Sequence, residues 1–433
     1  MLASIAALLV SVQPQPLPPP LLDYLRAAEG HNHSLRLSRA QLAEQQGLLR
    51  QSLAGLTPSL ALSGGYTRNQ YDAVLPFPNS FFGAGRTGTT LITIQPYDQL
   101  QGTVGLNIPL VEPAALARYA EGRHGVGAAA QAILASEEDV QLAVGQGYYQ
   151  VVAAQGVLAA AERALATAVA ALEVNRSKFA AGSANRLTVD RAQVDVARSQ
   201  QTIADAQRVL GLARRNLETL SGSPVAADLP DPGVPALPQQ PETAYVQAAE
   251  QQRPELAQAR EAIAQAAATR DEAWLGFSPN LLGQAQEHFT NYAGFVGSDT
   301  FWTLGVLLSW NLDPVGTAGA IKRGSALVVE QEERLAQALD AVRDDVHAAW
   351  LQVLAGQAHV LETKAEVQSA SEALKLTQEQ FGAGTTTALE LSQAQRDAFT
   401  AEATAAQSAA DLASALLALQ RATGTALLSA DSH

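Results

Sequence analysis

The sequence predicts a mainly helical chain with a small β part, built twice over: each half is two strands followed by a long antiparallel helical hairpin. Three observations carry this expectation. The chain repeats itself, two stretches of about 67 residues lack proline, and apolar residues recur every seven positions along them. Shifted by 202, Phe179, Gly182, Leu187, Ala192, Gln193, Leu217 and Gly222 fall on Phe381, Gly384, Leu389, Ala394, Gln395, Leu419 and Gly424. Shifted by 221, Tyr24, Ala27, Ala28, Glu29, Leu35, Arg39 and Pro58 fall on Tyr245, Ala248, Ala249, Glu250, Leu256, Arg260 and Pro279.

Taken in order, residues 2–12 (LASIAALLVSV) form a short apolar run ahead of PQPLPPP. Its length suits the core of an export signal rather than a membrane span, and residues 1–16 are read as an atypical signal peptide, since no Lys or Arg precedes Arg26. A frayed tail is the alternative. The first repeat, 17–222, opens with a helical pattern over 18–56 that stops at Thr57-Pro58, and the second, 242–425, with one over 241–277 that stops at Ser278-Pro279.

Strands follow both prolines. Trp302, Leu304, Val306, Leu308 and Trp310 alternate with Phe301, Thr303, Gly305, Leu307 and Ser309, and Val104, Leu106, Ile108 and Leu110 alternate with Thr103, Gly105, Asn107 and Pro109, a period of two. Leu60, Leu62 and Tyr66 repeat the pattern weakly, and residues 280–289 more weakly still. The stretch 70–99 is about twenty residues longer than its counterpart near 290–300, which explains the change of offset, and it reads as an exposed loop of little periodicity.

The proline-free stretches from Ala114 to Ala180 and from Val315 to Ala383 would each reach ~100 Å as one helix, too long for a globular core. Val144, Val151, Leu158, Leu165, Leu172 and Phe179 keep a seven-residue period in the first copy, and Val346, Val353, Val360, Val367, Leu374 and Phe381 in the second. After each glycine turn the scheme returns, through Val189, Val196, Ile203, Leu210 and Leu217 and through Leu391, Ala398, Ala405, Leu412 and Leu419. An ordinary soluble coiled coil accounts for that seam equally well. Residues 223–241, SPVAADLPDPGVPALPQQP, form a proline-rich linker that no helix can cross, and 426–433 is a tail.

Composition narrows the function. A net charge of −14, from 28 basic and 42 acidic residues, argues against a nucleic-acid partner. The absence of cysteine removes disulfides, thiolate metal sites and cysteine nucleophiles. His31 and His33 lack clustered acids, His124, His288, His347 and His359 are scattered, and no nucleophile, phosphate loop or metal cluster emerges, so no catalytic residue, cofactor or metal is expected and the chain reads as a non-enzyme. Four strands cannot close a membrane barrel alone, which points to oligomers. Trp302 and Trp310, eight residues apart on one face, span ~26 Å and suit a lipid-facing aromatic girdle; a β-sandwich edge with two exposed tryptophans is the other reading.

FAAGSANRLTVDRAQ from Phe179, FGAGTTTALELSQAQ from Phe381 and LRLSRAQLAEQQGLLRQSLAGLTPSLALSGGY from Leu35 resemble the outer-membrane efflux proteins, the TolC-like channels of Gram-negative bacteria, and the likeness runs over residues 18–425. It implies a homotrimer, with four strands per chain in a twelve-stranded transmembrane barrel in the outer membrane and twelve helices in a periplasmic α-barrel. It also implies a passive exit duct of a tripartite efflux or type I secretion system, whose tip docks a periplasmic adaptor coupled to an inner-membrane pump. By position, Phe179, Gly182, Leu187, Phe381, Gly384 and Leu389 would form the adaptor-facing tip. Asp190 and Glu390 would be acids at the narrow aperture, where three Glu390 carboxylates would favour cations; a solvated acid on a helix face is the alternative for Glu390. A coiled-coil scaffold without a pore, periplasmic or extracellular, is the competing reading of the whole chain.

Overall fold

A computed structural model describes residues 19–231 and 237–428; the expected signal segment, 1–16, lies outside the described residues. In chain order the elements are α1 (Pro19–His31), α2 (His33–Ser52), β1 (Ser59–Arg68), β2 (Ala73–Pro78), β3 (Thr89–Gln95), β4 (Asp98–Val111), α3 (Pro113–Ala180), α4 (Arg186–Ser221), α5 (Glu242–Gln252), α6 (Pro254–Leu275), β5 (Asn280–Thr290), β6 (Thr300–Ser309), α7 (Pro314–Ala383) and α8 (Ala388–Ala422). The two long helices and their returning partners stand where the heptads place them. The described residues divide into a helical unit, 19–41, 130–231, 237–258 and 335–428, and a sheet unit, Leu42–Ala129 with Ala259–Arg334.

In two places the structure corrects the sequence reading. The single opening helix expected in each half is broken in two, at Asn32 and at Arg253, positions that correspond under the 221 shift. Pro254 has no N–H to donate and forces Arg253 into an extended conformation, φ −63° and ψ 124°. Asn32 stands at the first break through its side chain: Oδ1 accepts from the Ser34 N–H at 2.8 Å and Nδ2 donates to the Leu220 carbonyl at 3.2 Å. The second correction is the stretch 70–99, expected as a loop, which carries the hairpin β2–β3 as a separate two-stranded sheet. Its second strand, TTLITIQ, is rich in β-branched residues, yet most of its side chains are exposed, so it lacks the inward-outward contrast by which a strand is recognised.

Inside the helical unit the duplication extends to burial. Leu35 and Leu256, Val144 and Val346, Val151 and Val353, Leu210 and Leu412, and Leu217 and Leu419 are buried in both copies, forming two separate cores. Small residues also let the helices approach closely: a Cβ added at Gly156 of α3 would lie 2.8 Å from the Cβ of Ala406 on α8. The first core is also covered by the linker, whose Leu229 is buried. Tyr24 Oη accepts from the Ala226 N–H at 3.1 Å, and Tyr148 Oη donates to the Pro230 carbonyl at 3.1 Å, so the proline-rich segment is fixed by hydrogen bonds that its own backbone cannot make within a helix.

A charged node joins the two repeats in this unit. Arg253 donates to Asp345 at 2.8 Å and to Glu255 at 3.1 Å, while Arg421 bonds Asp139 at 2.8 Å and also reaches Glu255. Burial acts against the Glu255 carboxylate, but hydrogen bonds from Arg253 and Arg421 outweigh it and lower its pKa. Glu138, beside them, is buried with one carboxylate oxygen lacking a partner, and burial pushes its pKa up to about 7 despite the attraction of Arg421.

Two outcomes follow from this packing. Val353→Asp places an unpaired charge in the second core and should cost several kcal/mol, on the order of 3–5, with the loss read from the thermal unfolding midpoint of the purified protein. Because the folded state raises the pKa of Glu138, its contribution to stability is complete below about pH 4.5 and declines as pH rises through about 7. Glu138→Gln should therefore flatten the fall in unfolding temperature between those values, measured across a pH series.

Candidate functional sites: the helical turns and the two-faced sheet

The two turns of the helical unit share one local design. In the first, the Gly182 N–H donates to the Phe179 carbonyl at 3.0 Å and the Ser183 N–H to the Lys178 carbonyl at 2.9 Å; in the second, Gly384 reaches Phe381 at 3.2 Å and Thr385 reaches Gln380 at 2.9 Å. This paired closure of a helix end needs a left-handed residue, and Gly182 and Gly384 have φ +76° and +78°. A Cβ at either glycine would meet no other atom within 4 Å, so what excludes side chains there is backbone conformation rather than space.

The helices that leave the turns are capped at corresponding positions. Asn185 Oδ1 accepts from the Thr188 N–H at 3.0 Å, and Thr387 Oγ1 accepts from the Glu390 N–H at 3.3 Å. Glu390 completes a capping box, its carboxylate accepting from the Thr387 N–H at 2.8 Å and from the hydroxyls of Thr387 and Thr386. Those bonds, led by the one from Thr386, lower its pKa and keep it ionised. Asp190 is exposed and lies 3.8 Å from Arg186, one turn earlier on α4.

The turns differ in how their aromatics are used. Phe179 is 48% exposed, whereas Phe381 is 6% exposed beneath Lys178, whose Nζ stands 4.2 Å from the ring centroid and donates to the Phe381 carbonyl. Lys178 thus ties the end of the first hairpin to the turn of the second. Sequence reasoning passed over it, because its only signal is that it precedes the repeated aromatic and has Gln380 as its counterpart. Leu187 and Leu389 are both exposed, leaving an apolar side chain beside each turn.

The sheet unit holds the second site. Its main sheet has the order β1-β4-β5-β6, with every neighbouring pair antiparallel. Directly paired residues share a face, so Leu60, Leu62 and Tyr66 of β1, Leu100, Val104, Leu106 and Ile108 of β4, Ala285 of β5, and Trp302, Leu304, Val306 and Leu308 of β6 lie together, with one carboxylate among them, Glu287 of β5, paired with Val104 and Trp302. Most of these large side chains are exposed, Trp302 at 68%, and Trp310, just beyond the strand, is exposed at 57%. Trp310 is anchored by its indole N–H to the Phe277 carbonyl at 2.9 Å. The opposite face is mainly polar, carrying Ser63 and Thr67, Gln101, Thr103 and Asn107, Gln284, Gln286 and His288, and Thr303, with Leu282, Phe301 and Leu307 among them. His288 stacks on Phe301 at 4.8 Å, with Thr103 and Thr303 hydroxyls 3.5 Å from its two ring nitrogens. Sequence reasoning identified the apolar alternation on β6 and β4, but the polar face of β5 was legible only after its register against Thr103 and Thr303 was known.

Among the described residues no helix is long and apolar enough to cross a membrane, and no group of His, Asp and Glu is placed to hold a metal ion. The sequence matches the family described as Outer membrane efflux protein over residues 24–223 and 245–425, and the chain belongs to that family of efflux channels, which are not enzymes. Among solved structures it is similar to the outer membrane protein VceC of Vibrio cholerae, with 18% identity, TM-score 0.76, and coverage of 94% of this chain and 97% of that one. It is also similar to the MtrE outer membrane channel of Neisseria gonorrhoeae, in its open state, with 20% identity, TM-score 0.75, and coverage of 94% and 90%. The CmeC outer membrane channel of Campylobacter jejuni matches with 14% identity, TM-score 0.75, and coverage of 94% and 86%. No curated protein matches the sequence.

The turns generate a further outcome. Replacing both Gly182 and Gly384 by Val forces a β-branched residue into the left-handed region and should cost roughly 1–3 kcal/mol at each turn. Export of cargo should be lost while the protein is still recovered in the outer membrane, as read by fractionation beside a transport assay.

Proposed function

We propose that three copies of this chain close into one barrel and form the exit duct of an efflux or secretion assembly. One observation carries the proposal: a four-stranded antiparallel sheet whose outer strands, β1 and β6, each have one neighbour among the described strands. With four alternating strands these two edges run in opposite directions, so β6 of one copy can pair antiparallel with β1 of the next, and repetition closes the ring. A single sheet in lipid would leave two rows of backbone N–H and C=O groups without partners, each costing several kcal/mol.

Barrel size favours three copies. Two would give eight strands, whose interior is filled by side chains, whereas three give twelve and leave a passage. The apolar face then meets lipid between Trp302 and Trp310, with Glu287 beside Trp302 at the rim of that band, and the opposite face lines the lumen mainly with hydroxyl and amide groups. Such a lining offers water-like hydrogen bonds without a fixed charge and suits a conduit of low selectivity. Drive and cargo choice fall to an inner-membrane pump joined through a periplasmic adaptor. The glycine turns, with exposed Leu187 and Leu389 beside them, are the surface proposed to receive that adaptor. Glu390, ionised on its cap, supplies the carboxylate of the proposed aperture.

Outer-membrane fractions should yield an oligomer of three chains, and the purified protein should conduct in planar bilayers. A soluble monomer without conductance would count for the scaffold reading. Val306→Arg, on the apolar face of β6, should cost about 2–4 kcal/mol if that face meets lipid and deplete the protein from the outer membrane. Undiminished recovery of this variant would remove the lipid assignment of the face.

A further inference from the structure

Near the second turn an open cavity of about 280 Å³ lies between α3, α4 and the start of α8. Three guanidinium groups line it, from Arg191, Arg198 and Arg396, against one carboxylate, Asp195. Asp195 is shared at long range, 4.0 Å from Arg198 and 3.9 Å from Arg396, and Arg191 has no carboxylate partner among the described residues. The lining therefore carries two positive charges in excess, on a chain whose net charge is −14.

A second, independent feature points to an occupant. Asn175 on α3 is 2% exposed and lines the same cavity; its Nδ2 donates to the Ala171 carbonyl at 2.9 Å, while its Oδ1 is buried without a partner. The amide orientation is fixed by that bond, since only nitrogen can donate to a carbonyl. Arg396 already donates to Ser392 Oγ at 2.9 Å and to Gln393 Oε1 at 2.8 Å, so what the cavity lacks is an anion for Arg191 and Arg198 above all and, beside it, an N–H or O–H for Asn175. A bare inorganic anion supplies only the first. An acidic side chain flanked by peptide or hydroxyl donors supplies both. A neighbouring cavity of about 430 Å³ shares Asp195, Arg198, Ser392, Gln395 and Arg396, so the recess extends along α4 and can admit more than one residue of a partner; the extension adds one carboxylate, Asp205, so the positive excess is concentrated at the end nearer the turn.

We propose that this recess receives an aspartate or glutamate side chain of the periplasmic protein that docks on the turns, clamped by Arg191, Arg198 and Arg396 with Asn175 accepting a hydrogen bond from the same segment. The inference rests on the docking role proposed above and adds the chemistry that recognises the partner. Leu389, exposed beside the second turn, also lines the cavity, so the recess is continuous with the proposed docking surface. Arginine suits the task because its planar fork can hold a carboxylate through two bonds at once.

The test uses the full-length protein in intact cell envelopes with its export partners. A photo-reactive phenylalanine analogue in place of Leu187, which is exposed beside the first turn and does not line the recess, reports docking alone. Separately, Arg191→Lys or Arg198→Lys places an amine in the recess, and a zero-length carbodiimide joins amines to carboxylates in contact; the linked peptides are sequenced by mass spectrometry. The expected result is a link from the introduced lysine to an Asp or Glu of the protein captured at position 187. Asn175→Leu, and the pair Arg191→Gln with Arg198→Gln, should each weaken retention of that protein about tenfold. If position 187 captures the partner while the lysine links only to carboxylates of this chain, or to none, the recess proposal falls and docking stands. If position 187 captures no partner, both fall.

Discussion

Unpaired backbone at a sheet edge is the constraint on which the rest of this structure depends. Inside a membrane there is no water to satisfy those groups, and β1 and β6 leave a row of them at either side of a sheet whose large apolar side chains already face outward. In the assembly proposed above, the edges have the polarity that lets copies continue the ladder and pair those groups. The helical unit is bound by a related constraint: helices of 68 and 70 residues cannot be covered by one compact core, so their seams are buried in strips along neighbouring helices.

Duplication lets the chain meet both constraints with one set of instructions. Val144 and Val346, or Leu217 and Leu419, serve the same purpose in separate cores. The copies have diverged where they touch one another or the linker. Tyr148 packs at a tilt against Tyr24 and binds the linker, whereas its counterpart Trp350 packs on Tyr245. The charged node around Arg253 and Arg421 draws Asp139 from the first repeat and Asp345 from the second, so it belongs to neither copy alone.

Much of this was readable from the amino acids because periodicity and proline act locally. The heptads of α3 and α7, the stops before Pro58 and Pro279, and the left-handed glycines at 182 and 384 are each dictated by a few neighbouring residues. What escaped is what depends on partners distant in sequence. The break at Asn32 relies on the carbonyl of Leu220, far along the chain, and has no proline to announce it. The hairpin β2–β3 was hidden because exposure on both faces erases the pattern that marks a strand. At the turns, Phe179 and Phe381 look identical in sequence, and only Lys178 folding over one of them separates exposed from buried.

That small asymmetry has a consequence for any assembly built on these turns. A ring of three chains would display six turns of nearly the same backbone shape, giving the outline of sixfold symmetry, yet alternate turns would present a bare aromatic ring and one sheathed by an ammonium group. A collar of six identical subunits laid on such a ring would settle in two unlike environments by turns, its members alike in composition but unequal in grip.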